Sequence, residues 1–237
     1  DSPLRSVADL AVKKVGVPEW AQTAAIYTRG YLVHQAGIRL DKITWVQAGV
    51  STPGRKEKVA LNLPDGVSLT PVADKSLEEM LLSGEIDAIM SAHPPEIFEN
   101  GGPEIIRLVG DYQAMEEAYF QETGIFPIMH TMAVKTDVSN AHPWMLGNLL
   151  KAFNAAKNNS VARAHEMTAS RFPIPWAPYF AEQSAAMFGD DYWPYGIDDN
   201  RVTLDAFLQY SFEQGVCQRR LQVEDLFPKN VLSSFKV

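Results

Sequence analysis

Four short apolar runs near the start of this chain, KVGV (14–17), KITWVQ (42–47), VSLTPV (67–72) and IDAIM (86–90), are separated by stretches of helical character. Strands that alternate with helices predict parallel β-α-β units. Pro18-Glu19-Trp20 opens the first helix, expected from about Ala21 to Ala36 and stopped by Gly37. A shorter helix is expected over Lys75 to Ser83, with leucines along one side, and Ile105 to Val109 reads as a fifth strand. Between the second and third strands, Pro53, Gly54 and the charged run Arg55-Lys56-Glu57-Lys58 read as a solvated loop.

The second half differs. One extended apolar run, Phe126 to Val134, precedes helical patterns at about 143–158, 160–171, 176–187 and 198–215. The last has Asp198 or Asp199 as its cap, a stripe of Leu204, Phe207, Leu208 and Phe212, and Gly215 as its stop. The reading is therefore an α/β lobe over 10–124, then a connecting strand and a mainly helical remainder over 125–237.

Composition removes several function classes. A chain of 237 residues, 46% hydrophobic and 21% charged, has enough apolar material for a real core. A formal charge of -8 argues against nucleic-acid partners, because a phosphate backbone is repelled at long range. No stretch is long enough for a membrane span, so no membrane insertion is expected. Cys217 is the single cysteine, which excludes an internal disulfide and a thiolate metal cluster. No Gly-rich phosphate loop, G-x-S-x-G elbow or H-E-x-x-H spacing is present.

Ligands of an open parallel sheet bind beyond the carboxyl ends of its strands. Those ends deliver Pro18 to Thr23, then Gln47-Ala48-Gly49, then Ser91-Ala92-His93. The first is also a helix N-terminus, where free N–H groups favour an anion. Thr23 serves there either as a cap or as a hydroxyl donor, and Arg55 either as a surface cation or as a carboxylate partner. His93 stands in a loop stiffened by Pro94-Pro95; His130, inside an apolar run, is either a core histidine or a cleft proton carrier.

The segments K-V-G-V-P-E-W-A-Q-T-A-A (14–25), G-I-F-P-I-M-H-T (124–131), H-P-W (142–144) and G-D-D-Y-W-P-Y-G-I-D-D-N (189–200), with E-Q-G-V (213–216) and E-D-L-F (224–227), together resemble the 4,5-dihydroxyphthalate decarboxylase family. The resemblance runs from about Ser6 to Phe227. It implies a type II periplasmic-binding-protein-like fold of two α/β lobes, with a further N-terminal β-α-β portion that this chain lacks. Phe126–Val134 then becomes the crossover strand, with His130 near the cleft floor. The implied activity is loss of one carboxyl from 4,5-dihydroxyphthalate, giving 3,4-dihydroxybenzoate and carbon dioxide. His130 is assigned as proton donor and His93 or Glu19 as base. Trp20, Thr23, Arg29, Arg55 and Ser91 are placed against the substrate carboxylate, and Tyr192 or Tyr195 against its ring. No cofactor is required, and a divalent metal on His93, His130 and Glu19 has no support from spacing.

The competing reading is a solute-binding protein of a transporter, which takes up a small carboxylate without chemistry. A signal peptide upstream favours that reading and a periplasmic location; its absence favours a cytoplasmic enzyme. A pyrimidine-precursor synthase of the same fold class carries a cysteine-rich motif that this chain does not have. The sequence leaves the oligomeric state open.

Overall fold

The computed structural model describes residues 2–231, apart from the side chain of Asn230. The tail of the expected helical remainder, 232–237, lies outside the described residues. The chain divides into two compact units, one of Asp1–His130 with Asp205–Gln222 and one of Thr131–Leu204 with Val223–Val237.

The first unit is a mixed α/β structure built on a parallel sheet. The strands are β1 (Lys14–Val17), β2 (Thr44–Gln47), β3 (Leu69–Pro71) and β4 (Ala88–Ile89), in the order β3-β2-β1-β4. All three pairings are parallel, with Val15 beside Trp45 and Ala88, and Gly16 beside Val46 and Ile89. Side chains alternate across a sheet, and the register sorts them onto two faces. Val15, Val17 and Trp45 join Trp20, Leu32, Leu40 and Ile43 in one cluster. Val46 and Ile89 face the other way, onto Ala48, Leu77, Met80 and Ile86. Gly16 lies on that second face because a Cβ there would stand 2.6 Å from Leu77 Cδ2.

Helix α1 (Thr23–His34) covers the first face and α2 (Leu77–Leu82) the second. Ser76 and Glu79 form a capping box at the start of α2, which fixes where that helix begins. Helix α3 (Glu96–Glu99) follows β4, and α4 (Tyr112–Thr123) is capped by Asp111 and stopped by Gly124 in a left-handed conformation. The far side of α1 is buried as well: Ile26 and Tyr27 pack on Ile125, Tyr119, Phe207 and Tyr210. Helix α1 is thus enclosed on two sides, so its buried residues are not confined to one stripe.

The second unit holds α5 (Thr136–Ala141), α6 (Trp144–Ala164), α7 (Ala177–Phe188), the first turn of α8 (Arg201–Glu213) and α9 (Val223–Leu226). It contains no strand among the described residues. Lys157 of α6, only 7% exposed, holds both carboxylate oxygens of Asp191, at 2.6 and 2.5 Å. Arg201 pairs with Glu224 at 2.8 Å. No helix among the described residues is long and apolar enough to cross a membrane.

Three expectations are corrected. Residues 105–109 form no strand. Ile105 is buried, but Arg107 stacks its guanidinium on Tyr112, 4.7 Å from the ring centroid, and the chain turns into α4 at the Asp111 cap. Phe126–Val134 forms no strand. Pro127 has no N–H to give a ladder, and the Ile128 N–H donates to the Tyr27 hydroxyl at 3.4 Å. The helices expected at 143–158 and 160–171 are one helix, α6, which runs through Asn158-Asn159-Ser160 without a break and ends at Ala164. Helices α4 and α5 were not anticipated.

Candidate functional site

All four strands point the same way, so their carboxyl ends share one edge. From β1 the chain moves outward to β2 and β3, then returns to place β4 on the opposite side of β1. Such a reversal leaves a crevice between the diverging connections. A cleft of about 730 Å³ opens there, lined by Pro18 after β1, the 49–55 loop after β2, His93 and Pro94 after β4, and Glu96, Glu99 and Asn100 of the α3 region.

The loop after β2 is a built wall. Gly49 makes its turn, since a Cβ there would lie 1.9 Å from the Thr52 carbonyl oxygen. The Gly49 and Val50 carbonyls accept the Leu77 and Glu78 N–H groups at 2.8 and 2.9 Å, which fastens the loop to the start of α2. Ser51 donates its hydroxyl to Glu78 at 3.0 Å and accepts the Glu96 N–H at 2.9 Å; Glu78 also accepts the Ile97 N–H at 3.1 Å. One hydroxyl and one carboxylate thereby tie the β2 loop, α2 and α3 together. His93 projects from the opposite connection, with its N–H donating to the Ser91 hydroxyl oxygen at 3.3 Å.

Beyond this wall the charged run folds back onto the segment that leads into α1. Arg55 donates its Nε to Glu19 Oε1 at 2.5 Å, closes a second contact through Nη2, and Lys58 Nζ stands 3.4 Å from the same oxygen. Glu57 Oε2 accepts the Trp20 N–H at 2.5 Å and the Ala21 N–H at 3.4 Å. The expectation of a solvated loop is therefore corrected for Glu57: its carboxylate accepts the N–H groups of Trp20 and Ala21, the two residues before the Gln22 N-cap of α1.

Behind that position lies a buried polar knot. The Trp20 side chain is fully buried, sits edge-on to Trp45 at 5.2 Å, and donates its indole N–H to the Gln214 carbonyl at 2.8 Å. Arg29 is fully buried, its guanidinium carbon 3.8 Å from the centre of the Trp20 ring. Arg29 Nε donates to Gln214 Oε1 at 2.8 Å, Nη2 donates to the Trp20 carbonyl, and Nη1 has no hydrogen-bond partner. Burial pulls the Arg29 pKa down to about 9, against an opposing effect of the Glu57 charge. The group remains a cation at neutral pH.

The structure thus brings His93 and Arg55 to one cleft and sets Glu19 against Arg55. The side chains of Trp20 and Arg29 are inside the core rather than on the cleft surface. Thr23 is the half-buried first residue of α1, and Ser91 supports the His93 loop from outside the lining. His130 is exposed and is not among the lining residues. Tyr192 and Tyr195 belong to the second unit, where Tyr192 packs 6.0 Å from His165 and Tyr195 lies 5.8 Å from Lys157 Nζ. No group of three His, Cys, Asp or Glu side chains is placed to hold a metal among the described residues, and His93, His130 and Glu19 form none. Sequence reasoning missed Glu57, Ser51 and Gln214. Gln214 was within reach, inside the E-Q-G-V segment (213–216); Ser51 had no signal of its own.

No family model matches the chain. A 4,5-dihydroxyphthalate decarboxylase of Comamonas testosteroni is 34% identical over 238 residues, covering 100% of this chain and 72% of the relative. A protein of the same name from Pseudomonas putida is 34% identical over 122 residues, covering 51% of this chain and 47% of that relative. An alignment of this identity along the whole chain places it: the chain belongs to the 4,5-dihydroxyphthalate decarboxylase family.

Proposed function

We propose that the protein removes one carboxyl from 4,5-dihydroxyphthalate, releasing carbon dioxide and 3,4-dihydroxybenzoate. Two relatives bearing that activity as their name support the reading, one of them along the whole chain. The single structural observation that carries it is that His93 and Arg55 line one cleft at the carboxyl edge of the sheet. The finer fold reading, a type II periplasmic-binding-protein-like architecture, rests on the family resemblance and agrees with the β3-β2-β1-β4 order.

The chemistry follows from the substrate. Each carboxyl is para to a hydroxyl. Removing that phenolic proton drives an electron pair toward the ring carbon that bears the carboxylate. This carbon takes a proton and becomes tetrahedral. The bond to the carboxylate then breaks, its electrons return to the ring, carbon dioxide leaves, and the phenolate regains a proton. The protein supplies a proton carrier and a clamp for the carboxylate that stays. An electron-sink cofactor has no step to perform. His93 is the proton carrier of the cleft, and Arg55 exchanges Glu19 for a substrate carboxylate.

The test is release of carbon dioxide from 4,5-dihydroxyphthalate, with and without chelator. His93→Ala is expected to lower kcat by about 10²- to 10⁴-fold, the usual worth of a positioned acid or base. If His130→Ala abolishes turnover while His93→Ala does not, the donor role returns to His130. Binding without any carbon dioxide release would move the chain to the solute-binding reading.

A further inference from the structure

Helix α3 is four residues long and buries none of its side chains. Packing therefore does little to hold it in place. Its cap position is Pro95, whose side chain offers no acceptor. The first two N–H groups, on Glu96 and Ile97, are satisfied from elsewhere, by the Ser51 hydroxyl at 2.9 Å and by Glu78 Oε2 at 3.1 Å. The helix thus borrows its caps from the loop after β2 and from the start of α2.

The same Glu78 oxygen accepts the Ser51 hydroxyl at 3.0 Å, and the Glu78 backbone N–H donates to the Val50 carbonyl at 2.9 Å. One carboxylate oxygen therefore joins the two connections that face each other across the cleft, and a carboxylate makes both bonds stronger than a neutral acceptor does. The residues assigned to the chemistry hang from this joint. Arg55 ends the stretch of loop that Ser51 anchors. His93 lies between two fixed points: the end of β4, where the Met90 N–H donates to the Gly16 carbonyl at 2.8 Å, and the tied N–H groups of α3. Pro94 and Pro95 fix φ at two successive positions between His93 and α3. A shift of α3 is thereby passed back to His93 rather than absorbed.

We propose that Glu78 is a positioning residue for decarboxylation: through Ser51 and the start of α3 it sets where His93 stands against a substrate held by Arg55. This rests on the decarboxylase reading and on His93 as its proton carrier. Glu78 is not among the residues that line the cleft, so it acts on alignment and not on substrate. Without its carboxylate the Ile97 N–H loses its acceptor and the Ser51 hydroxyl its anchor. The loop after β2 keeps its main-chain bonds to α2, and Arg55 keeps its pair with Glu19. The carboxylate clamp survives while the proton carrier drifts, and a misplacement of about 1 Å is enough to cost on the order of 10²-fold in rate.

Three quantities test this in the unmodified protein, Glu78→Ala and Glu78→Gln: turnover of 4,5-dihydroxyphthalate, calorimetric affinity for phthalate, and the shift of the His93 imidazole proton resonance when phthalate binds. His93→Ala identifies that resonance, and circular dichroism confirms that each variant is folded. Glu78→Ala is expected to lower kcat by about 10- to 100-fold while phthalate affinity stays within about threefold. Glu78→Gln keeps an oxygen acceptor and is expected to recover most of kcat. In a His93→Ala background, Glu78→Ala is expected to lower kcat no further, because it acts through that histidine. Phthalate should shift the His93 resonance in the unmodified protein and in Glu78→Gln, but not in Glu78→Ala. If Glu78→Ala does not fold, Ser51→Ala removes the other half of the joint and is expected to act in the same direction. Normal turnover in folded Glu78→Ala, or a loss of phthalate affinity as large as the loss of kcat, overturns the positioning role alone. A His93 resonance that phthalate leaves unmoved in the unmodified protein overturns it as well. No carbon dioxide release from the unmodified protein, with the His93 shift present there and absent in Glu78→Ala, sinks the decarboxylase reading and leaves Glu78 as the residue that places His93.

Discussion

The guanidinium of Arg29 sits over the ring of Trp20: its carbon is 3.8 Å from that ring's centroid, and one of its nitrogens donates to the Trp20 carbonyl. With Gln214 accepting at Nε, the pair joins the start of α1 to the turn after α8. Replacing Arg29 by Met leaves the Trp20 carbonyl and Gln214 Oε1 without these donors in a buried site. The expected loss of stability is about 3 kcal/mol, read as a lower urea midpoint. Arg29→Lys is expected to recover little of it, because a point charge cannot serve both acceptors. An unchanged midpoint for Arg29→Met would refute this role.

Gly30, one residue on, sits under Tyr210. A Cβ there would stand 2.3 Å from Tyr210 Cδ2, and the ring is held by His34 stacked at 4.9 Å and by Tyr27 edge-on at 6.5 Å. Gly30→Ala should therefore destabilise by about 1–3 kcal/mol through overpacking, although alanine is the better helix former by about 0.5–1 kcal/mol. A rise in melting temperature for Gly30→Ala would show that the ring can give way.

Burial pushes the Tyr27 phenol from its ordinary 10.0 up to about 12, and raises the phenols of Tyr119 and Tyr210 as well. The folded state binds the Tyr27 proton more tightly than the unfolded chain does. This contribution to stability is complete below pH 10 and is lost as pH rises from 10 to 12. Urea midpoints measured across that window should fall steeply, and Tyr27→Phe should make the fall shallower. An identical slope in the variant would remove Tyr27 from the explanation.

In the second unit, the Lys157 side chain is 5% exposed and that of Asp191 is 55% exposed. The two partners are therefore not equivalent. Asp191→Ala leaves a buried ammonium without its carboxylate and should cost about 1–3 kcal/mol, while Lys157→Met frees an exposed carboxylate and should cost less. Denaturant unfolding of both variants orders them; a larger loss for Lys157→Met would contradict the assignment. The pair also explains part of the G-D-D-Y-W-P-Y-G segment. Asp191 anchors it, Tyr192 packs on His165, and Trp193 stays 52% exposed.

Strands β1, β2 and β4 were legible because each is a short apolar run between a turn signal and a helix, and a buried parallel strand has little else to show. The run at 105–109 has the same composition and forms no strand, since Arg107 stacks on aromatic rings there. Pairing is a property of two segments, and one run cannot announce it. The cleft was legible through the rule about strand ends, which named the connections holding Pro18, Gly49 and His93. Glu57 was not. A carboxylate between two lysines reads as surface in any window, and only the path of the loop across 37 positions brings it to Trp20. The placement of Arg29 was hidden for the same reason, as Gln214 lies 185 positions away.

That separation has a consequence for how the chain is made. The central strand and α1 leave the ribosome well before the residues that seal the outer face of α1, from Phe207 to Val216. The indole N–H of Trp20 waits for a carbonyl 194 positions downstream. Until those residues emerge, the nascent chain carries a helix whose Ile26 and Tyr27 side is bare, a natural place for a chaperone to hold it.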